Sequence, residues 1–325
     1  MYQRLGEVTL RSGERVEAGV VLAPDADWAP RLGPLLGHKG GLWNWQNDVF
    51  LAGPTGLEAR YYVLHRGGVP FSNILTSEHR GVGLFGHVYT RPADRQQGAS
   101  SQLMRLQMAD CRARGVQALY LGTGYDSVAY HMYAKQGFVP AIPKRGYMGW
   151  FPGGERAFLD SYLGGAPAGV QPVDWPHWPA AAPLYLNDWP GQVRCVPGGV
   201  VGRRLSEGPL LPFIRETREP GTPPARGAVA LVATTGAVLG VAAWDLDPLW
   251  PETVRLDVYC LPEHWARAPE LLAALRPRAG CRVLAYADAG FAPKQRALRA
   301  AGLHRVGVMR AWLPGGADAL VYTRG

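Results

Sequence analysis

Two apolar rhythms run along this chain, a two-residue period suited to half-buried strands and a three-to-four-residue period suited to amphipathic helices. The first is clearest in ARYYVLHRGGVPFSNIL (Ala59 to Leu75), where two apolar runs flank Gly67-Gly68 and predict a hairpin. GAVALVATTGAVLGVAAW (Gly227 to Trp244) predicts a second hairpin about Thr235-Gly236. A long strand ending in proline follows each, Gly83 to Pro92 and Thr253 to Pro262, since proline removes a ladder donor. Short apolar strands are predicted at 118–122 (ALYLG) and 282–287 (RVLAYA). The helical rhythm is best developed from Ala99 to Arg114, with Leu103, Leu106, Met108 and Cys111 among its apolar positions and Gly115 as the stop.

These patterns recur in order, which points to an internal repeat. Asp27-Trp28 with Pro34-Leu35 returns as Asp174-Trp175 with Pro183-Leu184. Gly137-Phe138 returns as Gly302-Leu303, and Trp150-Phe151-Pro152-Gly153-Gly154 as Trp312-Leu313-Pro314-Gly315-Gly316. Offsets of 147, 170, 165 and 162 residues between paired landmarks imply two copies of one α/β unit of about 160 residues, joined near Ala157 to Gly169. Twelve of the 28 prolines fall between residues 164 and 226, a linker by composition. Because the Trp175 and Trp189 landmarks lie inside it, we read that stretch as the start of the second copy.

Composition narrows the function classes. The 325 residues carry a formal charge of +8, which favours an anionic ligand. Only four basic residues are lysines (Lys39, Lys135, Lys144, Lys294) and none sits in a run, so a nucleic-acid tail is not expected. Cys111, Cys195, Cys260 and Cys281 are widely spaced, reading as reduced thiols of a cytoplasmic protein rather than as a disulfide frame or metal site. No stretch of 18 apolar residues occurs and the first residues are charged, so neither a membrane span nor a secretory signal is expected.

The candidate chemistry lies between Phe85 and Phe138. Arg95-Gln96-Gln97-Gly98-Ala99-Ser100 joins a predicted strand to a predicted helix. A glycine followed by small residues lets a ligand reach main-chain N–H groups at a helix start, where the dipole favours anions such as a pyrophosphate. A tight strand-to-helix turn with no ligand would have the same composition.

This stretch resembles the GCN5-related N-acetyltransferase (GNAT) family. Val88, Pro92, Arg95, Gly98 and Ser100 match its V-x-x-x-P-x-x-[RQ]-x-x-G-x-[GA] loop, with serine at the last position. Asp126 to Phe138 matches N-x-x-A-x-x-x-Y-x-x-x-G-F at Ala129, Tyr133, Gly137 and Phe138, with Asp126 in place of Asn. The resemblance implies two GNAT-like domains, each a mixed, mostly antiparallel central sheet flanked by helices. Residues 1–160 would be the catalytic copy and 161–325 a degenerate one.

It further implies an acetyl-CoA-dependent N-acetyltransferase that needs no metal and acts on a primary amine of a small molecule or peptide. Main-chain groups of Val88, Tyr89 and Thr90 would hold the pantetheine, Gln96, Gln97, Gly98, Ala99, Ser100 and Ser101 with Arg95 the diphosphate, and Asp126 and Ala129 would flank the cofactor. Tyr133 would protonate the leaving thiolate, a task suited to a phenol of pKa about 10. A core aromatic on the helix that carries Ala129 and Phe138 is the alternative to that reading. The general base is open. The usual glutamate position falls near Leu84, leaving His87, Glu78 or His79, with His87 the best placed.

The second copy has lost these features. Aligning Pro262 with Pro92 puts Trp265, Ala268, Pro269 and Glu270 at the positions of Arg95, Gly98, Ala99 and Ser100, and aligning Gly302 with Gly137 puts Leu298 at that of Tyr133. Proline removes a donor and glutamate repels phosphate. The expected assembly is a monomer or homodimer with no nucleic-acid or membrane partner. A CoA-binding sensor, or a transferase of another acyl group, fits the same residues.

Overall fold

The hairpin patterns become two sheets, one in each unit of a computed structural model that describes residues 1–324. The units divide between Phe158 and Leu159. In the first, β1 (Tyr2–Thr9), β2 (Arg15–Leu22), β3 (Glu58–Arg66), β4 (Val69–His79), β5 (Val82–Thr90), β6 (Ala118–Gly122), β7 (Val139–Pro140) and β8 (Tyr147–Trp150) form one sheet. Its order is β1-β2-β3-β4-β5-β6-β8-β7. Gly67 and Gly68, at φ 53° and 82°, make the two-residue link between β3 and β4, the backbone that a tight hairpin with right-handed twist requires.

Helices cover both faces of this sheet. α1 (Ala29–Leu36) and α2 (Gly41–Ala52) lie on one, α3 (Ala99–Ala113) on the other, and α4 (Val128–Ala134) follows β6. Successive residues of β3 show the division. Tyr62 packs with α3 residues Leu103, Met104 and Met108 in the core, while the Tyr61 hydroxyl donates to Asn47 Oδ1 of α2 at 3.0 Å. α3 ends at Gly115 (φ 73°), and Val116 N–H reaches back to Cys111 O at 3.0 Å. Buried Val116 completes this stop.

All neighbouring strands are antiparallel except β5 and β6, which pair in parallel only from Val82↔Ala118 to Leu84↔Tyr120. β6 is held on its other side by β8 through Gly122↔Tyr147, so β5 leaves it after Leu84 with one edge unpaired. At that point the β4–β5 register slips, with Leu75 opposite Gly86 and Asn73 opposite Tyr89. His87, at φ 51°, occupies the resulting bulge, and Asn73 Nδ2 donates to its carbonyl at 2.7 Å. A bulge bends its strand and interrupts the ladder, which here widens the gap between β5 and β6.

α5 (Glu155–Leu163) runs across the division into the second unit. There follow β9 (Pro167–Pro172), α6 (His177–Ala180), α7 (Ala182–Leu186), β10 (Val193–Cys195), β11 (Val200–Val201) and α8 (Glu207–Arg218). The proline-rich stretch is therefore folded structure, with Trp175 and Trp178 buried in it. Then come β12 (Arg226–Ala233), β13 (Val238–Leu246), β14 (Thr253–Cys260), α9 (Ala268–Ala274), β15 (Arg282–Asp288), α10 (Ala292–Ala300), β16 (His304–Leu313) and β17 (Ala317–Arg324). The main sheet runs β16-β17-β15-β14-β13-β12-β9. Its one parallel pair is β14–β15, over Thr253–Arg255 and Arg282–Leu284. The β13–β14 ladder runs without a register shift.

Between the diverging ends of β14 and β15 the chain inserts its own segment 192–196. Val196 N–H donates to Asp257 of β14 at 2.8 Å, and Gln192 and Val193 N–H donate to Asp288 of β15 at 2.7 and 3.1 Å. Lys294 of α10 is fully buried, ion-paired with Asp257 and bonded to Val193 O at 2.8 Å. Burial pushes the Asp257 carboxyl up, and Lys294 opposes that shift. Removing one member of such a pair strands a buried charge, so Lys294→Met is expected to lower unfolding free energy by about 3–5 kcal/mol. Denaturant titration checks this, and adding Asp257→Asn should restore part of the loss.

Cys111, Cys195 and Cys260 are buried free thiols, and burial pushes each up to about 12. Among the described residues, no helix is long and apolar enough to cross a membrane.

Candidate functional site

A groove of 700 Å³ opens along the end of β5, the loop after it and the starts of α3 and α4. Val88 and Thr90 line it from β5, Arg95 to Ser101 without Gln97 from the loop and α3, and Ala129 and Tyr133 from α4. The two sequence motifs thus meet in one place. After a helical turn at Pro92–Asp94, Gln96 and Gly98 take φ of 63° and 79° and deliver the chain into α3. The first N–H groups of α3 have no partner in its own ladder and carry the positive end of its dipole. A side chain at Gly98 would meet nothing nearer than Arg11 at 3.9 Å, so the loop leaves this approach open.

Long-range bonds fix the loop. Arg11, on the turn between β1 and β2, donates its N–H to Gln97 O at 3.0 Å and its guanidinium to Gln96 O at 3.3 Å. Ser12 N–H donates to Gln97 Oε1 at 3.0 Å, so that side chain is spent on the loop's own support. Arg95 Nε donates to Thr90 O at 3.1 Å. Hydroxyls of Ser72, Thr90 and Ser100 form a chain with 2.8 Å links from β4 through β5 to α3. Asp94 at the groove edge is neutralised by Arg66 at 2.8 Å, itself bonded twice to Glu14. The field in the groove is therefore set by Arg11, Arg95 and the helix start, a donor set that fits a polyanion. Among the described residues, no cluster of three or more His, Cys, Asp or Glu side chains is placed to hold a metal ion.

Tyr133 stands on the inward face of α4 at 6% exposure, its ring edge on Phe85 at 5.2 Å. It both borders the groove and belongs to the core. Ser127 Oγ caps α4 by accepting from Tyr130 N–H at 3.1 Å. Asp126 is exposed and paired with His131 at 2.8 Å, outside the groove lining. Tyr89 lies outside that lining as well, its ring stacked on His38 at 4.5 Å.

The candidate bases are placed as follows. Leu84 is a buried sheet residue. Glu78 is buried and held by Arg114 through two contacts of 2.7 and 2.8 Å. His79 Nδ1 donates to Gly56 O at 3.3 Å. His87 is 2% exposed and not part of the groove lining. Its Nε2 meets Gln46 Oε1 at 2.9 Å and its Nδ1 meets Asn47 Nδ2 at 3.4 Å. Burial, reinforced by Lys39 and His38, pushes the imidazolium pKa well below its usual range, so the ring is neutral near pH 7. Both nitrogens are thus engaged by α2.

Two residues escaped the sequence reading. Arg11 lies 85 positions from the loop it supports and carries no local signal. His38 is exposed beside Tyr89, its Nδ1–H directed at Leu35 O at 2.9 Å. A carbonyl can only accept, so Nε2 keeps its lone pair when the ring is neutral.

The start of α9 in the second unit differs at each of these points. Pro269 lacks the N–H, and Glu270 is paired with Arg267 at 2.5 Å. Trp265 packs on Phe291 at 5.2 Å, and Leu298 is fully buried.

Residues 36–138 match the family model described as Acetyltransferase (GNAT) family. No curated protein matches the chain. Among solved structures, yncA from Salmonella typhimurium with its cofactor acetyl-CoA is similar at 15% identity, with 48% of this chain and 92% of that one covered and a TM-score of 0.37. An N-acetyltransferase from Staphylococcus aureus Mu50 is similar at 11% identity, over 48% and 96%, with a TM-score of 0.36. A ribosomal-protein-alanine N-acetyltransferase from Brucella melitensis is similar at 16% identity, over 48% and 98%, with a TM-score of 0.35. The family match spans α2 through α4, including β5, the loop and Tyr133, and residues 36–138 of this chain are an acetyltransferase domain of the GNAT family.

Proposed function

We propose that the first unit is an acetyl-CoA-dependent N-acetyltransferase acting on a primary amine. The observation that carries this reading is the meeting of both motifs in one groove beside the unpaired edge of β5. Main-chain groups of Val88, Tyr89 and Thr90 accept the pantetheine as an added strand. The N–H groups at Gly98 to Ser101, with Arg95 and Arg11, hold the diphosphate.

Acetyl-CoA supplies a thioester carbonyl, at which the C–N bond forms as the C–S bond breaks. Tyr133 gives its hydroxyl proton to the leaving sulfur and is reprotonated through solvent. The proton shed by the amine passes to solvent, since none of Glu78, His79 and His87 lines the groove. His87 acts as a positioning residue, tying the bulge to α2.

The second unit is read as a degenerate copy. Support comes from its single parallel pair at the matching place in the strand order, and from its lack of both the bulge and an open helix start. Segment 192–196 fills the gap that the first unit leaves for a cofactor.

Titration calorimetry of the full chain with acetyl-CoA, followed by thiol-release assays over a panel of small primary amines, tests the reading. One-site binding with amine-dependent thiol release is expected. Absence of binding would overturn the cofactor assignment, and binding without release for every amine would leave a CoA-binding protein in place of an enzyme.

A further inference from the structure

Three hydroxyls connect the core of the first sheet to the groove. Ser72 of β4 is fully buried and stands opposite Thr90 of β5 in the strand register. Its Oγ lies 2.8 Å from Thr90 Oγ1, which lies 2.8 Å from Ser100 Oγ in the first turn of α3, the usual O–H···O length. Thr90 and Ser100 line the groove, and Ser72 does not. Among the described residues, none of the three hydroxyls has a further hydrogen-bond partner.

Counting hydrogens gives the chain a direction. Each hydroxyl carries one hydrogen and can both donate and accept. Two links use two of the three hydrogens, so one is left over. At Ser72 that hydrogen would be buried without an acceptor, which costs free energy. Ser72 therefore donates to Thr90, and the surplus hydrogen falls on the groove side. An anion at the start of α3 places it on Ser100, which stands among the N–H groups that attract the anion. Thr90 then donates to Ser100, and each bond in the chain strengthens the next.

Resting on the acetyl-transfer reading above, we propose that Ser72 is a positioning residue for the diphosphate. Acting through Thr90, it turns the Ser100 hydroxyl outward as a side-chain donor beside the main-chain N–H groups. Glycine or alanine at position 100, as in the loop pattern that this stretch resembles, has no hydroxyl to turn.

Inorganic pyrophosphate is the cofactor-free probe, followed by NMR at the backbone amides of Gly98 to Ser101 in the full chain, and calorimetry with acetyl-CoA runs alongside. Ser100→Ala removes the donor and is expected to weaken both ligands about 10-fold, the worth of one hydrogen bond to a charged group. Ser72→Ala leaves the loop unchanged but frees Thr90 to turn its hydrogen elsewhere, so a loss of about 2- to 4-fold is expected. In the double variant Ser72→Ala should add nothing to Ser100→Ala, because its effect passes through Ser100. A packing role for Ser72 would move thermal melting and leave this coupling at zero.

Wild-type pyrophosphate affinity in Ser72→Ala, an undiminished Ser72→Ala loss on the Ser100→Ala background, or silent Gly98 to Ser101 amides in the wild type would each overturn the relay. Pyrophosphate shifts that depend on Ser72, with no acetyl-CoA binding, would overturn the transfer reading and leave the relay standing.

Discussion

Gly98→Glu is expected to abolish acetyl-CoA binding, lowering affinity at least about 100-fold through loss of charge-assisted contacts and direct repulsion. Two effects combine and can be separated. Gly98 sits at φ 79°, where any side chain costs about 1–2 kcal/mol of folded-state stability. Gly98→Ala carries that strain with no charge, and its Cβ meets only Arg11 at 3.9 Å, so the alanine variant should melt earlier yet bind nearly as wild type. Glutamate adds a carboxylate facing the unpaired N–H groups of α3, where it occupies the anion position itself. Calorimetry on wild type and both variants, with thermal melts alongside, gives the comparison. Wild-type affinity in Gly98→Glu would remove the loop from the cofactor site.

The same loop shows what a sequence can and cannot disclose. Strand β6 is found at Ala118–Gly122, as its apolar run predicts, and α3 begins at the predicted Ala99. Both depend on local periodicity and on glycine, which act over a few residues. β5 begins at Val82 and ends at Thr90, two residues before Pro92, because the chain turns into a short helical segment there.

The bulge at His87 was not legible. A one-residue slip changes no apolar count and shows only in which β4 residue faces which β5 residue. Its consequence is chemical, because the slip leaves His87 buried against Gln46 and Asn47, 41 and 40 positions earlier. A strand histidine that looks like a base is thereby held at both nitrogens. Arg11 was hidden for the same reason, as contacts across 85 positions leave no trace in spacing. In the second unit the substitutions Pro269 and Glu270 could be read directly. The filling of the β14–β15 gap by segment 192–196 could not, since it rests on Asp257, Asp288 and Lys294 meeting a distant backbone.

Tyr133 is where the two readings of one residue part most sharply. It belongs to the core cluster with Phe85 and Phe138, and it also borders the groove. Tyr133→Phe retains the ring and its edge contact on Phe85, so packing alone predicts little change in stability, affinity or rate. If the hydroxyl delivers the proton to the leaving sulfur, kcat should fall by about 10²–10⁴-fold, the usual worth of a positioned acid. Acetyl-CoA affinity should stay close to wild type, because the interaction is made as the C–S bond breaks and not in the ground state. A thioester whose thiol is more acidic should narrow the gap between variant and wild type, since its sulfur leaves with less need of a proton. Steady-state kinetics with both thioesters, together with calorimetry, settle the matter. An unchanged kcat would assign Tyr133 to the core alone, and a parallel loss of affinity and rate would assign it to cofactor binding.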